Sequence, residues 1–229
     1  MLGLAFSGGK DSLACWYLYR TKNPIVFWVN TGKTYPETLE IVNQIKAEAK
    51  QFVEVKSDVE QNIKLSGIPA DIVPIANTIE GMKVTGPQNI KVKSYMQCCY
   101  DNIALPLMEA CKQHGITELV RGQRNDERHK APSRHGDVVM GITFFHPIET
   151  WTKEQVIAFL LSQMPELPKH FSINHSSLDC YICTAFMNES QDRIAWTKQT
   201  HPDLYNEYVV NFDQLAASLR PSLKYFGAA

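Results

Sequence analysis

The sequence predicts an α/β protein with a doubly wound parallel sheet and a small, mostly helical C-terminal extension. Short apolar runs of strand length alternate with segments of helical period, as in parallel sheets that are covered on both faces. A glycine-rich turn joins the first apolar run to the first helical segment. The chain has 229 residues, of which 44% are hydrophobic and 21% are charged, and this composition is ordinary for a globular protein with one sizeable core.

Strands and helices alternate regularly in the first quarter of the chain. We expect a buried strand over Leu2 to Phe6 and a helix over Ser12 to Thr21. A second strand covers Ile25 to Val29, and a helix begins near Pro36, a residue that suits the first helical turn. Phe52 to Lys56 alternates apolar and polar residues and therefore predicts a third strand.

The pattern weakens over residues 61–93, where glycines and prolines interrupt every long element, and we expect short helices and loops there that cover a cleft. Regular elements return after this stretch. In chain order they are a helix over Ile103 to His114, a strand over Glu118 to Val120, a polar loop over 121–134, a strand over Ile142 to Phe145, and a helix over Val156 to Met164 preceded by Thr152 and Gln155 in capping-box spacing. We divide the chain into a main α/β domain, 1–164, and a C-terminal segment, 165–229.

Charge and hydropathy exclude several classes of protein. The formal net charge of −1 gives the whole chain no attraction to nucleic acid, so a polynucleotide partner would need a local basic patch. No apolar run approaches the roughly 20 residues that cross a bilayer, and the start of the chain lacks the pattern of a signal peptide. We therefore expect a cytoplasmic protein with no membrane partner. Because cytosolic thiols are kept reduced, the six cysteines do not indicate a disulfide scaffold.

A phosphate-binding loop is the strongest local signal. The hexapeptide Ser7-Gly8-Gly9-Lys10-Asp11-Ser12 follows a short apolar strand and opens a helix. Paired glycines let the backbone turn and bring amide groups close to a phosphate, and the start of the helix favours the anion further. Lys10 can neutralise phosphate charge, Ser7 and Ser12 offer hydroxyl groups, and Asp11 can bind magnesium or cap the helix. The competing interpretation is a glycine-rich turn with no ligand.

Four of the cysteines form two pairs, Cys98-Cys99 and Cys180-x-x-Cys183. Four thiolates suit either a [4Fe–4S] cluster or a structural zinc ion. Adjacent cysteines are an awkward half-site for zinc, which prefers pairs separated by two to four residues. Unligated thiols or a redox disulfide remain as a third alternative.

The remaining cysteines and three of the histidines carry no such pattern. Cys15 and Cys111 fall within predicted helices, and we expect them in the core, because free cysteine is among the most buried residue types. His170, His175 and His201 lack the spacing of metal ligands, so we expect structural or solvent-facing roles.

Four separated motifs resemble the phosphoadenylyl-sulfate reductase family. The hexapeptide is similar to the PP-loop of ATP pyrophosphatases, which split ATP between the α and β phosphates. Asn30-Thr31-Gly32 and Tyr35-Pro36-Glu37-Thr38 resemble the family's D-T-G-x-x-[FY]-P-E-T segment, with Asn30 in place of the leading aspartate. Arg121-Gly122-Gln123-Arg124 with Asp126, Glu127 and Arg128 resembles the loop that grips phosphate or sulfate. The paired cysteines resemble the cluster signature of bacterial adenylyl-sulfate reductases.

The resemblance implies a Rossmann-like sheet of the PP-loop type, an adenine nucleotide as ligand, Mg²⁺, and a [4Fe–4S] cluster. The residues that it implicates in catalysis are Lys10, Asp11 and Arg124. Those implicated in nucleotide binding are Ser7, Gly8, Gly9, Lys10, Asp11, Ser12, Asn30, Thr31, Gly32, Glu37, Arg121, Gly122, Arg124 and Arg128. Those implicated as cluster ligands are Cys98, Cys99, Cys180 and Cys183.

Three departures from the family pattern bear on the reaction. The reductases carry an E-C-G-[IL]-H tail whose cysteine is the nucleophile, and no cysteine follows Cys183 in this sequence. Ile103, next to the neutral Asn102, stands where the family has a basic residue after the cysteine pair. The phosphate loop is intact, whereas the reductases tend to have a degenerate one.

Three functional hypotheses follow. The departures favour an ATP pyrophosphatase that transfers an adenylyl group and uses the cluster in sulfur transfer. Its partners would be a sulfur donor, such as a cysteine desulfurase or a thioredoxin-type protein, and an acceptor that could be a nucleic acid. The second hypothesis is an adenylyl-sulfate or phosphoadenylyl-sulfate reductase with an unrecognised thiol. The third is a non-catalytic nucleotide-binding or structural component.

Overall fold

The computed structural model of the chain describes residues 1–86, 91–127, 131–173 and 178–224. Its centre is a six-stranded sheet with the strand order β3-β2-β1-β6-β8-β7, and a separate pair of strands is formed by β4 and β5. The strands are β1 (Leu2–Ala5), β2 (Ile25–Asn30), β3 (Phe52–Lys56), β4 (Ile68–Ala70), β5 (Val92–Ser94), β6 (Glu118–Val120), β7 (Val138–Val139) and β8 (Ile142–Phe145).

The main sheet is doubly wound. Strands β3, β2, β1, β6 and β8 are parallel, and β7 pairs with β8 in antiparallel orientation at one edge. The chain moves outward from β1 to β2 and β3, and then returns to place β6 and β8 on the other side of β1. Strand order therefore reverses between β1 and β6, and ligands of such sheets bind at the carboxyl ends of the strands at this point. The predicted fold class is confirmed.

Helices cover both faces of the main sheet. They are α1 (Lys10–Tyr19), α2 (Pro36–Glu48), α3 (Val59–Ser66), α4 (Ile79–Thr85), α5 (Tyr95–Cys99), α6 (Leu105–Gln113), α7 (Lys153–Gln163), α8 (His170–Ile173), α9 (Gln191–Thr200) and α10 (Pro202–Lys224), with a π-helix at Tyr100–Ala104 and short 3₁₀ turns at Arg20–Lys22 and Ile75–Asn77. The predicted capping box at Thr152 and Gln155 is present at the start of α7. Within the described residues, no helix could span a lipid bilayer.

Successive side chains of the central strands point to opposite faces of the sheet and pack into two separate hydrophobic cores. On β2, Val26 and Trp28 face a core shared with α1, α2 and α7, whereas Ile25 and Phe27 face a core shared with α6. This alternation is what a strand buried on both faces produces. It fixes the register of the central strands, because a shift by one residue would exchange the two faces.

Some elements differ from the sequence prediction. Helix α1 begins at Lys10 rather than Ser12, so Lys10 lies in the first helical turn. The stretch 61–93 contains short helices and loops as expected, and also the strand pair β4 and β5, whose three-residue strands are too short to leave a periodic signal. The helix expected over Ile103 to His114 is divided into the π-helix and α6.

The C-terminal segment packs against the loop that follows β2. The backbone N–H of Tyr181 donates to the carbonyl of Lys33 at 3.0 Å, and Thr34 pairs with Cys180 in an isolated bridge. The hydroxyl groups of Tyr35 and Thr197 share a hydrogen bond of 2.8 Å. A third core joins these residues to β4, β5 and α10. The division of the chain at residue 164 stays a prediction.

His146 is the most deeply buried imidazole among the described residues, with 2% of its surface exposed, and neither of its ring nitrogens has a hydrogen-bond partner. Burial, and then the charge of Arg121, lowers the pKa of His146, while Glu149 opposes the shift. The folded chain therefore holds this histidine neutral.

Substituting Gly122 by Ala should destabilise the fold. A Cβ atom at this position would lie 2.5 Å from the carbonyl carbon of Asp11 and 2.7 Å from the backbone nitrogen of Ser12. Forced contacts of this kind cost about 1–3 kcal/mol. In the matched control Gly9→Ala, the added atom meets only the Ser7 hydroxyl at 3.3 Å, and we expect a loss below about 1 kcal/mol. Urea unfolding measures the free energy of unfolding of both variants, and an equal loss of stability in the two would contradict the prediction.

Acid should destabilise the protein partly through His146. Its folded pKa is lower than its unfolded pKa of about 6.5, so the unfolded chain binds more protons as the pH falls. The neutral His146 ring therefore contributes to the free energy of unfolding above its unfolded pKa, and this contribution is lost as the pH falls toward its folded pKa. We expect His146→Gln to make the free energy of unfolding less dependent on pH between 7 and 5, as measured by urea unfolding. The exposed His114 provides the control His114→Gln, and equal pH slopes in the two variants would contradict the prediction.

Candidate functional site

A cleft of about 350 Å³ opens at the point where strand order reverses. Its lining includes the loop between β1 and α1 and the loop that follows β6. The floor contains residues of β2 and the start of α6, and the far end reaches Asp179 and Cys180. The phosphate loop and one of the paired cysteines therefore face the same space.

The two serines of the phosphate loop shape the loop itself. The backbone N–H of Ser7 donates to the hydroxyl of Ser12 at 3.2 Å, and that hydroxyl donates to the carbonyl of Gly9 at 2.9 Å. The N–H of Gly9 in turn donates to the Ser7 hydroxyl at 3.3 Å. These contacts close the turn with the serine side chains and leave the backbone amides of Lys10 to Ser12 for a ligand.

Two features make the loop a good anion site. Gly8 has a φ of +81°, and a Cβ atom there would lie 2.7 Å from the methyl group of Thr38, so only glycine fits without strain. The first backbone hydrogen bond of α1 runs from Leu13 N–H to the carbonyl of Gly9 at 2.9 Å. The N–H groups of Lys10 to Ser12 precede this bond, and such amides at a helix start favour negative charge.

The charged residues of the loop are joined in one network. The ammonium of Lys10 lies 2.9 Å from one oxygen of Asp11, and the Arg124 guanidinium lies 2.7 Å from the other oxygen. Arg124 also pairs with Asp126 at 2.6 Å. Although burial lowers the pKa of Arg124, these carboxylates and Glu127 outweigh burial and raise it. Asp11 thus holds two cations in fixed positions.

The loop after β6 also supplies a third cation, Arg121, which lines the cleft. The Arg121 guanidinium lies 5.4 Å from the ring centre of Phe144 and donates to the Ser133 hydroxyl at 3.1 Å. Burial lowers the pKa of Arg121, and Glu127 acts in the opposite direction. The buried side chain of Gln123 donates to the carbonyls of Ala131 and Ser133 and ties this loop together.

One predicted binding residue of this loop contacts the phosphate loop instead of lining the cleft. The Arg124 side chain donates to Asp11, and Arg124 is not among the described residues that line the cleft. Arg128 lies outside the described residues.

The turn after β2 explains why Asn30 replaces the family's aspartate. Its amide oxygen accepts from the N–H of Gly32 at 2.9 Å, and its amide nitrogen donates to Glu54 at 2.9 Å. This hydrogen bond lowers the pKa of Glu54 more than burial raises it. An aspartate could accept from Gly32 but would repel Glu54. Thr31 lines the cleft, whereas Asn30 and Gly32 are not among the described lining residues.

Glu37 points away from the phosphate loop. One of its carboxylate oxygens lies 2.7 Å from Nε2 of His201, and the other is buried without a hydrogen-bond partner. Glu37 is not among the described residues that line the cleft. Its predicted role in nucleotide binding stays a prediction.

The four paired cysteines gather on one side of the molecule. Burial, and then Cys183, raises the pKa of the Cys98 thiol to about 11 against the lowering effect of Lys93. Burial, followed by Cys183 and Cys98, also raises the pKa of Cys180. The two cysteine pairs therefore act on each other electrostatically. Cys99 is exposed beside Cys98 at the end of α5.

A buried arginine fixes the C-x-x-C turn. The Arg193 guanidinium donates to the carbonyl of Cys180 at 3.1 Å and to that of Cys183 at 3.4 Å. Over the described ranges, however, no group of three or more His, Cys, Asp or Glu side chains has an arrangement that could hold a metal ion. The four cysteines have the chemistry of ligands to a metal or cluster, but in this structure their side chains do not surround a common metal position.

Sequence reasoning missed a cation beside these cysteines. Lys93 on β5 is 5% exposed, hydrogen-bonds to the side chain of Asn62 and lies 3.9 Å from Asp101. Its ammonium acts against burial on the pKa of Cys98. Lys93 thus brings positive charge to the cysteines from β5, whereas the position after the cysteine pair holds Ile103 in place of the family's basic residue. Lys93 follows an irregular stretch of sequence, so no periodic signal marked it.

The π-helix provides a second missed contact. The Asn102 amide donates to the carbonyl of Cys98 at 2.8 Å and to Asn62 at 2.9 Å, and its distance to the Cys98 sulfur is 3.6 Å. π-Helical turns occur frequently at functional sites. Here the extra residue in the turn aims a neutral donor at the cysteine pair.

Comparisons with known proteins agree with this arrangement. The family model described as "Phosphoadenosine phosphosulfate reductase domain" matches residues 2–186. The adenosine 5'-phosphosulfate reductase of Burkholderia cepacia is 25% identical over 73% of this chain, and the match spans 62% of that protein. The enzyme of the same description from Pseudomonas aeruginosa is 24% identical over 88% of this chain and 74% of its own length.

A solved structure supports the fold. The crystal structure of phosphoadenylyl-sulfate reductase from Candida auris, in a phosphate complex, superposes with a TM-score of 0.52 at 14% identity and covers 78% of this chain and 80% of its own. The match of the family model extends from β1 to just beyond the C-x-x-C turn, and so includes both loops that line the cleft. The chain belongs to the phosphoadenosine phosphosulfate reductase domain family.

Proposed function

We propose that the chain binds ATP in the cleft and transfers its adenylyl group to an acceptor with release of pyrophosphate. The observation that carries this proposal is the intact phosphate loop, whose amides at the start of α1 have no partner within the helix and line the same cleft as Arg121. A site for a departing pyrophosphate needs donors that stay in place while negative charge builds up. Backbone amides and a buried arginine meet this requirement.

We give each residue of the charged network a role in this proposal. Lys10 would neutralise the β and γ phosphates, and Asp11 would keep its ammonium in place by the 2.9 Å contact. Arg124 would hold the opposite side of Asp11 and act as a positioning residue. Arg121, in the loop after β6, would contact the phosphates, since its planar guanidinium suits bidentate contact with oxyanions.

Magnesium fits this site through the nucleotide. Both oxygens of Asp11 are already paired with cations, so Glu127 is the better protein ligand on the cleft wall. Burial, and then Asp11, raises the pKa of Glu127, and a bound cation would relieve this repulsion. Mg²⁺ is usually held by one or two carboxylates together with substrate phosphates, where it stabilises the charge of a leaving pyrophosphate.

The four paired cysteines would hold a [4Fe–4S] cluster at the far end of the same cleft. Thiolates are the ligands that such clusters use, and the electrostatic influence of Cys183 on Cys98 and Cys180 supports a common site. A cluster of this type, when bound, supplies electron transfer or sulfur handling. Arg193 and Asn102 would fix the two ligand-bearing turns by their hydrogen bonds to the backbone. The sulfur donor and a nucleic-acid acceptor stay predictions.

A second candidate function is reduction of a sulfonucleotide. Two observations favour it: the relatives from Burkholderia and Pseudomonas are adenosine 5'-phosphosulfate reductases, and Lys93 places positive charge beside the cysteines. A sulfate group could sit near this charge while the nucleotide occupies the cleft. The thiol that would attack the sulfur is not identified.

Nucleotide binding distinguishes the two candidates. We expect titration calorimetry under nitrogen to give tighter binding for Mg-ATP than for adenylyl sulfate or phosphoadenylyl sulfate. Lys10→Ala should weaken ATP binding about tenfold or more, since charge-assisted contacts to phosphate are strong. Lys22→Ala, at the other end of α1, serves as the control and should bind as the wild type does. Tighter binding of a sulfonucleotide would favour the reductase.

Metal analysis tests the cluster. We expect protein purified without oxygen to contain iron and acid-labile sulfide in equal amounts, and Cys180→Ser to lose both. Cys111→Ser, in the core on the α6 side of the sheet, should retain them. Zinc without iron in the wild-type protein would contradict the assignment.

A further inference from the structure

We infer that His170 takes up a proton when nucleotide phosphates enter the cleft, and that Glu37 positions its ring. This inference rests on the proposed nucleotide site and assigns roles to two residues whose positions that proposal leaves unexplained. It also replaces the expectation that His170 and His201 are only structural or solvent-facing. His175 lies outside the described residues.

The position of His170 places it in the nucleotide cleft. It is the first residue of α8, is 7% exposed, and lines the same cleft as the phosphate loop and Arg121. Its ring packs edge-on against Phe171, with 4.6 Å between the ring centres. A buried histidine on the wall of a charged cleft is an unusual choice for packing alone, since an apolar ring would fill the space without a polar group to satisfy.

Glu37 has one oxygen available for this histidine. Its other oxygen is bound to Nε2 of His201 at 2.7 Å, while the buried oxygen Oε2 accepts no hydrogen bond in the structure. The charge of Glu37 raises the pKa of His170. Once protonated, the imidazole would donate to the unsatisfied oxygen. A carboxylate behind a histidine fixes the ring and favours its protonated form.

The charges around His170 decide when it takes up a proton. Burial lowers the pKa of His170 and outweighs the opposing effect of Glu37, so the ring is neutral in the empty cleft at neutral pH. The cations facing the cleft are Lys10 and Arg121, and the carboxylates are Asp11, Glu127 and Asp179, together with Glu37 behind the ring.

A polyphosphate adds several negative charges to this balance. The added charge raises the pKa of His170, and the ring takes a proton from solvent. The imidazolium then offers an N–H to a phosphate oxygen and returns the proton when the product leaves. The step is a proton transfer only: an N–H bond forms on the ring, and a solvent acid loses the proton.

Calorimetry in buffers of different ionisation enthalpy tests the inference, because the apparent enthalpy of ATP binding then reports the protons taken up. At pH 7 we expect the wild type to take up a fraction of a proton, and His170→Asn to take up much less. The affinity of His170→Asn for ATP should be about tenfold lower than wild type at pH 6, and nearly equal to it at pH 8.5. His114→Asn, on an exposed residue outside the cleft, should match the wild type.

A second variant keeps the test decisive if His170→Asn does not fold. Glu37→Gln retains an acceptor for His201 but removes the charge behind His170, so proton uptake should fall in this variant as well. Normal ATP binding with unchanged proton uptake in either variant would overturn this inference and leave the proposed function standing. Failure of the wild type to bind any of the nucleotides would overturn both.

Discussion

The candidate site depends on one close approach between two backbones. Gly122 lies so near the first turn of α1 that a Cβ atom would stand 2.5 Å from the backbone of Asp11. This contact joins the loops that follow β1 and β6, the two strands between which strand order reverses. Because the loops are locked together, the helix start and Arg121 line the cleft in fixed positions relative to each other. Pre-organised donors of this kind bind anions without further rearrangement.

The C-terminal segment completes the far end of the cleft. Its C-x-x-C turn is held by the loop after β2 on one side and by Arg193 on the other. The carbonyl of Leu178 also accepts from the Thr38 hydroxyl at 2.6 Å, and this bond ties the segment to α2. The phosphate loop and the paired cysteines are therefore parts of a single packing arrangement. A nucleotide bound at one end would reach toward the thiols at the other.

Much of this arrangement was predictable from sequence, because strong local patterns coincide with it. The strand periods, the glycine loop and the capping box at Thr152 each have a local physical cause, and the structure has all three elements. Lys93 was missed because its importance comes from the pairing of β4 with β5, a contact between distant short segments. The orientation of Glu37 toward His201 was missed for the same reason, since it depends on where the C-terminal helices pack.

The central claim is that nucleotide phosphates bind between the loop after β1 and Arg121. The most direct measurement is a crystal structure with α,β-methylene-ATP, an analogue that resists cleavage between the α and β phosphates. We expect the β phosphate to accept hydrogen bonds from the amides of Lys10 to Ser12, with the α phosphate directed toward Cys180. Phosphates bound elsewhere, for example in the cavity lined by Lys33 and Lys64 between α3 and α10, would contradict the account.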